Sequence, residues 1–522
     1  MRNACLSFGI LICGIWAWSS SYAATESVLV KGTFSPDVME IEITYPEGHP
    51  PIVRLKSLAA ETPITPVRPS TVAADLLKMV AQVKSFGECQ ASSEWRNGSV
   101  VMGSTAPKAT LCGHLLMLRE RKAPLDLLSY DTLSLRGETT GPVVIHLLDE
   151  AAERREHAVA VIRVVGRFDL KVPLKSAARQ LDLRRVVAVS IVPESETSHI
   201  VLESLMVLHQ SAGRQSRTKR GFWVWKYREA LTDPDGLLET CLRLGCERIL
   251  VQMPDLEDSE DLWTAYARFL EVAHRRNIEA FALDGYPEAV QTPGPLIAKI
   301  RRLLKIVDRK NLDGVQLDLE PYLLEDWAIQ DGAYAGYLDT IDTVKSVLAG
   351  MRFSIVMPFW FTSQSAGDRP VAFSVMDRVD EVAVMSYRTD MTELRTIAED
   401  SLRYGDLAGV PVWLAVETRP LPVERQVLLK RSARRDLADA YLDRPGRQVI
   451  FRTPPEQSDS SDWFRVHHRL TVSPERLTFS GRSRTEVLKV WNDVLRAMPH
   501  ASLAGVLIHD LEGFQALPED AQ

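Results

Sequence analysis

The sequence predicts a multidomain protein: an N-terminal β-sandwich followed by an α/β domain of the (β/α)8 barrel class, with an insertion between barrel strands seven and eight. Three observations predict it. Residues 24–210 read mainly as β-branched runs broken by Pro, Gly and charged turns. Residues 221–518 alternate short apolar runs with amphipathic stretches, the pattern of parallel βα units. Between them, 211–220 (SAGRQSRTKR) is basic and lacks apolar periodicity, as a linker does. A chain of 522 residues is also too long for one ordinary core. Its 45% hydrophobic and 25% charged composition is that of a folded globular protein.

The first 23 residues read as an export signal. Arg2 supplies the positive start, 6–18 the apolar stretch, and Ser21-Tyr22-Ala23 a small-x-small cleavage pattern. The expected location is therefore the periplasm or the extracellular space, with no stable membrane insertion once the signal is cleaved, because no later segment is long and apolar enough to span a bilayer. The net charge of −7 gives no electrostatic footprint for nucleic acid. In an oxidising compartment Cys89 and Cys112, which flank a segment of the sandwich, are candidates for a bridge. Cys241 and Cys246 lie where a helix gives way to a strand and are expected to stay as buried thiols.

Within the sandwich, strands are expected at 40–45, 143–148, 157–165, 186–192 and 199–208, with one helical interruption over 72–83. In the barrel the eight strands are expected at 221–227, 248–254, 278–285, 314–321, 351–360, 381–389, 411–418 and 503–510. Helices are expected at 262–275, 295–307, 333–348 and 392–404. The 84 residues between strands seven and eight exceed any βα connection, so about 420–482 is an insertion. Its candidate strands are 448–452, 467–472 and 476–479, after which 484–498 resumes as a barrel helix. Attached at the C-terminal face, it is placed to wall the rim.

The informative stretch is Leu312-Asp313-Gly314-Val315-Gln316-Leu317-Asp318-Leu319-Glu320-Pro321-Tyr322. A period of two puts Gln316, Asp318 and Glu320 on one face and Val315, Leu317 and Leu319 on the other. The apolar face packs on helices, so the polar set points into the barrel. Pro321 ends the strand and leaves Glu320 at the C-terminal rim, where barrel enzymes keep their active sites. Two neighbouring, partly desolvated carboxylates repel, which raises a pKa and suits one of them to act as an acid near neutral pH. Glu320 is the better proton donor and Asp318 its helper; the bland alternative is a buried ion pair.

This strand resembles that of glycoside hydrolase family 18, the chitinase-like barrels, whose pattern is Asp-Gly-x-Asp-x-Asp-x-Glu. Asp313, Asp318 and Glu320 match, and Gln316 replaces the middle Asp. The family's Met-x-Tyr-Asp on strand six resembles Met385-Ser386-Tyr387-Arg388, with Arg388 in place of the Asp. The resemblance implies that Glu320 protonates the leaving oxygen, that Asp318 positions the substrate's N-acetyl group as nucleophile, and that Tyr387 supports that group. Residues 168–174, 181–183, 187–191 and 200–205 are similar to the closing strands of galactose-binding-like jelly rolls, which implies a carbohydrate-binding-module-like sandwich.

Strand seven puts Trp413, Ala415 and Glu417 on one face, with Glu417 at the rim, either a functional acid or half of a salt bridge. Acids ending strands four and seven resemble the retaining glycosidases of clan A, although Leu319 stands where that group has Asn. Further candidates for substrate binding are Gln316, Asp284 (a ligand, or a turn or cap residue), His509 and Asp510, with Trp225 and Trp360 either stacking on sugar rings or packing in the core. No His or Cys spacing suggests a metal, and no cofactor is expected. The sequence thus points to a glycoside hydrolase-like protein with a polysaccharide or glycan as substrate. The alternatives are a catalytically silent, lectin-like protein and an envelope or exopolysaccharide-associated barrel. Oligomeric state is not legible in the sequence.

Overall fold

The computed structural model describes residues 26–29, 38–45, 52–57, 72–106, 112–118, 123–152, 159–209, 219–324, 333–443, 448–451 and 462–519. The expected signal (1–23) and most of the expected linker lie outside them.

Eight parallel strands close into a barrel in sequence order: Lys219–Val224, Arg248–Gln252, Glu279–Asp284, Gly314–Asp318, Phe353–Pro358, Glu381–Met385, Val412–Glu417 and Leu503–His509. Each falls on a run expected from the sequence, and the first begins two residues earlier, inside the expected linker. Alternation then sorts the side chains. Trp223, Leu250, Phe281, Leu283, Val356, Ala383, Trp413, Ala415 and Leu507 fill the interior. The opposite faces, such as Val315 and Leu317, join the large core under the helices.

The helices are bounded by local chemistry. Ser259 caps Glu260–Arg275, and Asp390 caps Met391–Ala408 by accepting from the Thr392 and Glu393 N–H groups. Gly409, at φ +71°, ends the latter in the left-handed conformation. Ser483 and Glu486 form a capping box at the start of Arg484–Ala497. Among the described residues no helix is long and apolar enough to cross a membrane.

The N-terminal end of the barrel is closed by a buried ionic plug. Arg248, 2% exposed, lies between the rings of Phe281 and Trp413, each 4.1 Å from the guanidinium carbon, and pairs with Glu279 and Glu381. A cavity of about 330 Å³ opens beside it, lined by Lys219, Arg248, Arg352 and Glu381. Lys219, Arg248 and Arg352 all pair with Glu279, and Arg248 also with Glu381.

A nine-stranded antiparallel sheet system spans 73–208. Its organiser is the 18-residue strand Thr132–Asp149. Paired along its length with Val159–Pro173, it pairs on its other edge first with Thr197–Leu208 and then with Val186–Pro193, so the sheet divides into two wings that fold into a sandwich-like layer. The expected helix over 72–83 is instead a short strand, one turn of 3-10 helix (Leu77–Met79) and a strand, Val80–Gly87. The Asp75 carboxylate accepts from the N–H groups of Leu77 and Lys78 and confines the turn to those residues. The 181–183 run is likewise not a strand: Leu183 opens a 3-10 turn capped by Asp182.

The first three strands leave this sandwich. Glu26–Leu29, Val38–Tyr45 and Ile52–Ser57 pair with strands of the insertion in a separate seven-stranded antiparallel sheet. Val38–Tyr45 pairs with Glu424–Arg431, and Glu26–Leu29 with Gln448–Phe451. Ile41, Ile43, Val427, Leu429, Leu442, Val449 and Phe464 form its core. The stretch expected as one sandwich over 24–210 is therefore divided, because Ile41 and Ile43 are buried with Val427 and Leu429, their partners across the sheet some 380 residues later. The expected strand at 476–479 is a short helix, Pro474–Leu477, begun by its proline.

Both cysteine pairs are bridged. Cys89–Cys112 links the edge of the sandwich, as the sequence suggested. Cys241–Cys246, expected as thiols, is also a disulfide. Gly245, at φ +66°, turns the chain back after the helix Pro234–Arg243 and brings the two Cα atoms to 4.9 Å.

Candidate active site

Strand four sends its polar side chains inward, but to different fates. Gln316 is fully buried: the Trp223 indole N–H donates to its Oε1 at 2.5 Å, and its Nε2 donates to Ser354 Oγ at 2.8 Å. It ties strands one, four and five together beneath the rim, so the structure corrects its expected role as a substrate ligand. Asp313, also in the matched motif, lies at the strand's other end and accepts from the Ala280 N–H at 2.8 Å.

Asp318 and Glu320 occupy the rim, both half-buried. Gly285 permits this placement, since a Cβ there would collide with the Asp318 backbone. Asp318 Oδ1 is buried with no hydrogen-bond partner among the described residues. Glu320 accepts from the Tyr322 hydroxyl, which the 3-10 turn Pro321–Leu323 folds back onto it. Tyr322 packs edge-on against Trp360, centroids 5.0 Å apart, so Trp360 flanks the acid through it. Burial, and then repulsion from Glu320, push the Asp318 carboxyl well above the usual carboxylate range, with His509 opposing. Burial also raises Glu320, against the Tyr322 hydrogen bond and the charge of His509.

These shifts carry a stability cost with a definite sign. A carboxyl whose pKa is raised by folding holds its proton more tightly in the folded state, so stability falls as pH rises above the ordinary carboxylate value. Asp318→Asn is therefore expected to raise the melting temperature near pH 7, with the gain vanishing as pH falls toward about 4. Thermal melts across that range check it; a variant less stable than wild type at every pH contradicts it.

The opposite wall comes from strands six to eight. Tyr387, just past strand six, stacks on His509 with centroids 6.1 Å apart and planes 26° from parallel. Burial, then the charges of Glu417, Asp318, Glu320 and Asp510, push its phenol up, so it stays protonated. Trp225 approaches the other side of His509 edge-on at 6.3 Å, and its indole N–H is buried without a partner among the described residues. Arg388, in the position where the resembled family has Asp, turns away: it donates to the Tyr387 carbonyl at 2.7 Å, pairs with Glu393 and covers the Phe359 ring.

Three expected site residues, the candidate acid Glu417 and the candidate ligands Asp510 and Asp284, are otherwise engaged. Glu417 is 2% exposed; its Oε1 accepts from the backbone N–H groups of Thr418 (2.8 Å) and Arg419 (2.7 Å), and its Oε2 lies 2.6 Å from His509 Nδ1. It is an anchor, with neither oxygen free to attack or to activate water. Asp510 caps the helix Leu511–Ala516 through Gly513 and holds Arg419 at 2.9 and 2.6 Å. Asp284 is buried in an ion pair with Lys299 at 2.5 Å and accepts from the Gly285 N–H.

The returning limb of the insertion is sewn to this rim. Phe479 N–H donates to the Glu417 carbonyl, Thr389 N–H to that of Arg476, and Arg482 to the Thr389 hydroxyl. Tyr322 and the Glu417–His509 pair escaped the sequence reading. Tyr322, two positions beyond Glu320 across a proline, had a local signal for a returning turn; the pair required knowing that strands seven and eight are neighbours with Glu417 opposite His509.

No family model matches the chain, and no curated protein matches it. Among solved structures, a class V chitinase from Nicotiana tobaccum is similar at 13% identity and a TM-score of 0.32, covering 57% of this chain and 95% of its own. A family 11 carbohydrate-binding module from Clostridium thermocellum is similar at 12% identity and a TM-score of 0.22, covering 27% and 97%. The carbohydrate-binding and catalytic modules of a Clostridium thermocellum endo-1,4-beta-D-xylanase are similar at 11% identity and a TM-score of 0.25, covering 66% and 80%.

Proposed function

We propose that the chain is an exported glycoside hydrolase-like protein that acts on a polysaccharide or glycan in the periplasm or outside the cell, with Glu320 as general acid and Asp318 assisting. The observation that carries this reading is the pair of raised, half-buried carboxyls at the end of strand four, flanked by Tyr322, Trp360, Tyr387 and Trp225. When the proton that the pair shares is on Glu320, it passes to the leaving glycosidic oxygen as the bond to the sugar carbon breaks, and water takes that oxygen's place on the carbon. Asp318 Oδ1, buried and unpartnered, is an acceptor for an N–H or O–H of the bound sugar. The flanking rings offer apolar faces for a pyranose. The sandwich over 73–208 fits a carbohydrate-binding module that holds the same polymer.

A catalytically silent, glycan-binding protein is the second reading. Gln316 is locked in the interior, Arg388 faces away and Glu417 is saturated, so no third free carboxylate among the expected positions joins Asp318 and Glu320. Incubation of the purified protein with a panel of polysaccharides, scored for new reducing ends and for retention on the same polymers, separates the two. Release of reducing ends supports the hydrolase; retention without release supports the lectin-like reading and rejects the first.

A further inference from the structure

The acid pair leaves one half-buried titratable group at the same rim without a role. His509 ends strand eight, and its ring is fixed on three sides. Nδ1 meets Glu417 Oε2 at 2.6 Å, Trp223 abuts the ring edge-on at 5.5 Å, and Tyr387 stacks on it. Glu417 cannot turn away, because its other oxygen is held by two backbone N–H groups. The imidazole is 24% exposed, yet Nε2 makes no hydrogen bond to any described residue. The clamp thus leaves one nitrogen, on the side of the ring remote from Glu417, free at the rim that carries Asp318 and Glu320.

We propose that Glu417 and His509 form the positioning cation of the acid centre: Glu417 anchors His509 as an imidazolium, whose positive charge keeps one member of the Asp318–Glu320 pair ionised while the other carries the proton. The proposal rests on the hydrolase reading and deepens it. Two desolvated carboxyls with no nearby cation both drift toward the neutral form, which supplies a proton donor but no anion to orient the substrate. A cation held beside them restores the anion without consuming the proton.

The groups facing His509 fit this role. Glu417 comes from strand seven, Asp510 follows it in the chain, Asp318 and Glu320 come from strand four, and Tyr387 from the end of strand six. Strand one contributes Trp223 and Trp225, which carry no charge. Arg419, the nearby cation, is occupied by Asp510 and Glu512 and so does not neutralise Glu417. Burial lowers the imidazole, but the hydrogen bond and charge of Glu417, with Asp510 and Asp318, outweigh it and leave His509 raised. Reciprocally, His509 pulls both acids down. His509 is a positioning residue here, because it acts through the carboxyls.

The test is an NMR titration of the full chain with labelled histidine rings and side-chain carboxyls. In the wild type His509 is expected to titrate above the ordinary value of about 6.5, and Glu417→Gln is expected to lower that midpoint. His509→Gln is expected to raise the midpoints of Asp318 and Glu320. A ring that merely fills space leaves those carboxyl midpoints where they were, and that result overturns the proposal. So does a wild-type His509 titrating at or below the ordinary value, or one that Glu417→Gln does not move. If circular dichroism shows that His509→Gln fails to fold, the wild-type and Glu417→Gln titrations decide alone. None of these readouts needs a cleaved glycan, so an inactive protein on the polysaccharide panel rejects the hydrolase reading without touching this result.

Discussion

Glu320→Gln is expected to lose glycan cleavage by about 10²–10⁴-fold, the usual worth of a positioned general acid, while retaining the glycan. The amide keeps the size of the carboxyl and can still accept from the Tyr322 hydroxyl, so the packing of Tyr322 on Trp360 is preserved. What it lacks is an acidic proton for the leaving oxygen. An interaction made only in the transition state lowers kcat and kcat/KM together, so KM is expected to stay near its wild-type value. Equal activity in the variant and the wild type removes Glu320 from the mechanism. A rise in KM alone reassigns it to binding.

The second large effect concerns the joint between sandwich and barrel. Arg403, on the helix Met391–Ala408, reaches out of the barrel domain with 2% of its side chain exposed. It donates to Asp126 Oδ2 at 2.9 Å and Oδ1 at 2.5 Å, and to Ser129 Oγ at 2.8 Å. Arg184 reinforces the joint from the sandwich side through Asp400 and the Thr362 carbonyl, both at 2.8 Å. Asp126→Ala takes the bidentate carboxylate from a buried guanidinium, leaving it only the part-exposed Asp400 at 3.1 Å and the Ser129 hydroxyl, and is expected to cost about 3 kcal/mol, the low end for breaking a buried pair, measured by urea unfolding. Replacing both members with Leu and Met is expected to recover most of that loss, because the cost lies in the under-paired buried charge. A single variant within about 0.5 kcal/mol of wild type, the range of an ordinary surface substitution, contradicts a buried joint.

Which features were legible in the sequence follows from how local their causes are. The barrel strands and the long helices could be read because their period is written into neighbouring residues, although the helix expected over 392–404 runs on to Ala408, where Gly409 stops it. The inward face of strand four was equally local, and the structure brings Asp318, Glu320, Tyr387, Trp225 and His509 to one end of the barrel. The composite sheet was not legible: Ile41 and Ile43 announce a strand, but nothing near them names Val427 and Leu429 as the partner face. The 72–83 stretch misled because Leu76, Leu77, Val80 and Val83 repeat at helical spacing while Asp75 holds only a single turn. Gln316 and Glu417 share inward faces with the rim acids, yet partners from other strands, Trp223, Ser354 and His509, saturate them. Such partners become visible only once the barrel closes.

The central claim is that Asp318 and Glu320 together hold a proton at neutral pH. Carboxyl NMR of the wild-type chain, followed from acid through neutral pH, tests it most directly. The expected result is one ionised and one protonated carboxyl across the pair near pH 7, well above the ordinary carboxylate range of about 4. Two carboxyls that both ionise within that ordinary range would contradict the account.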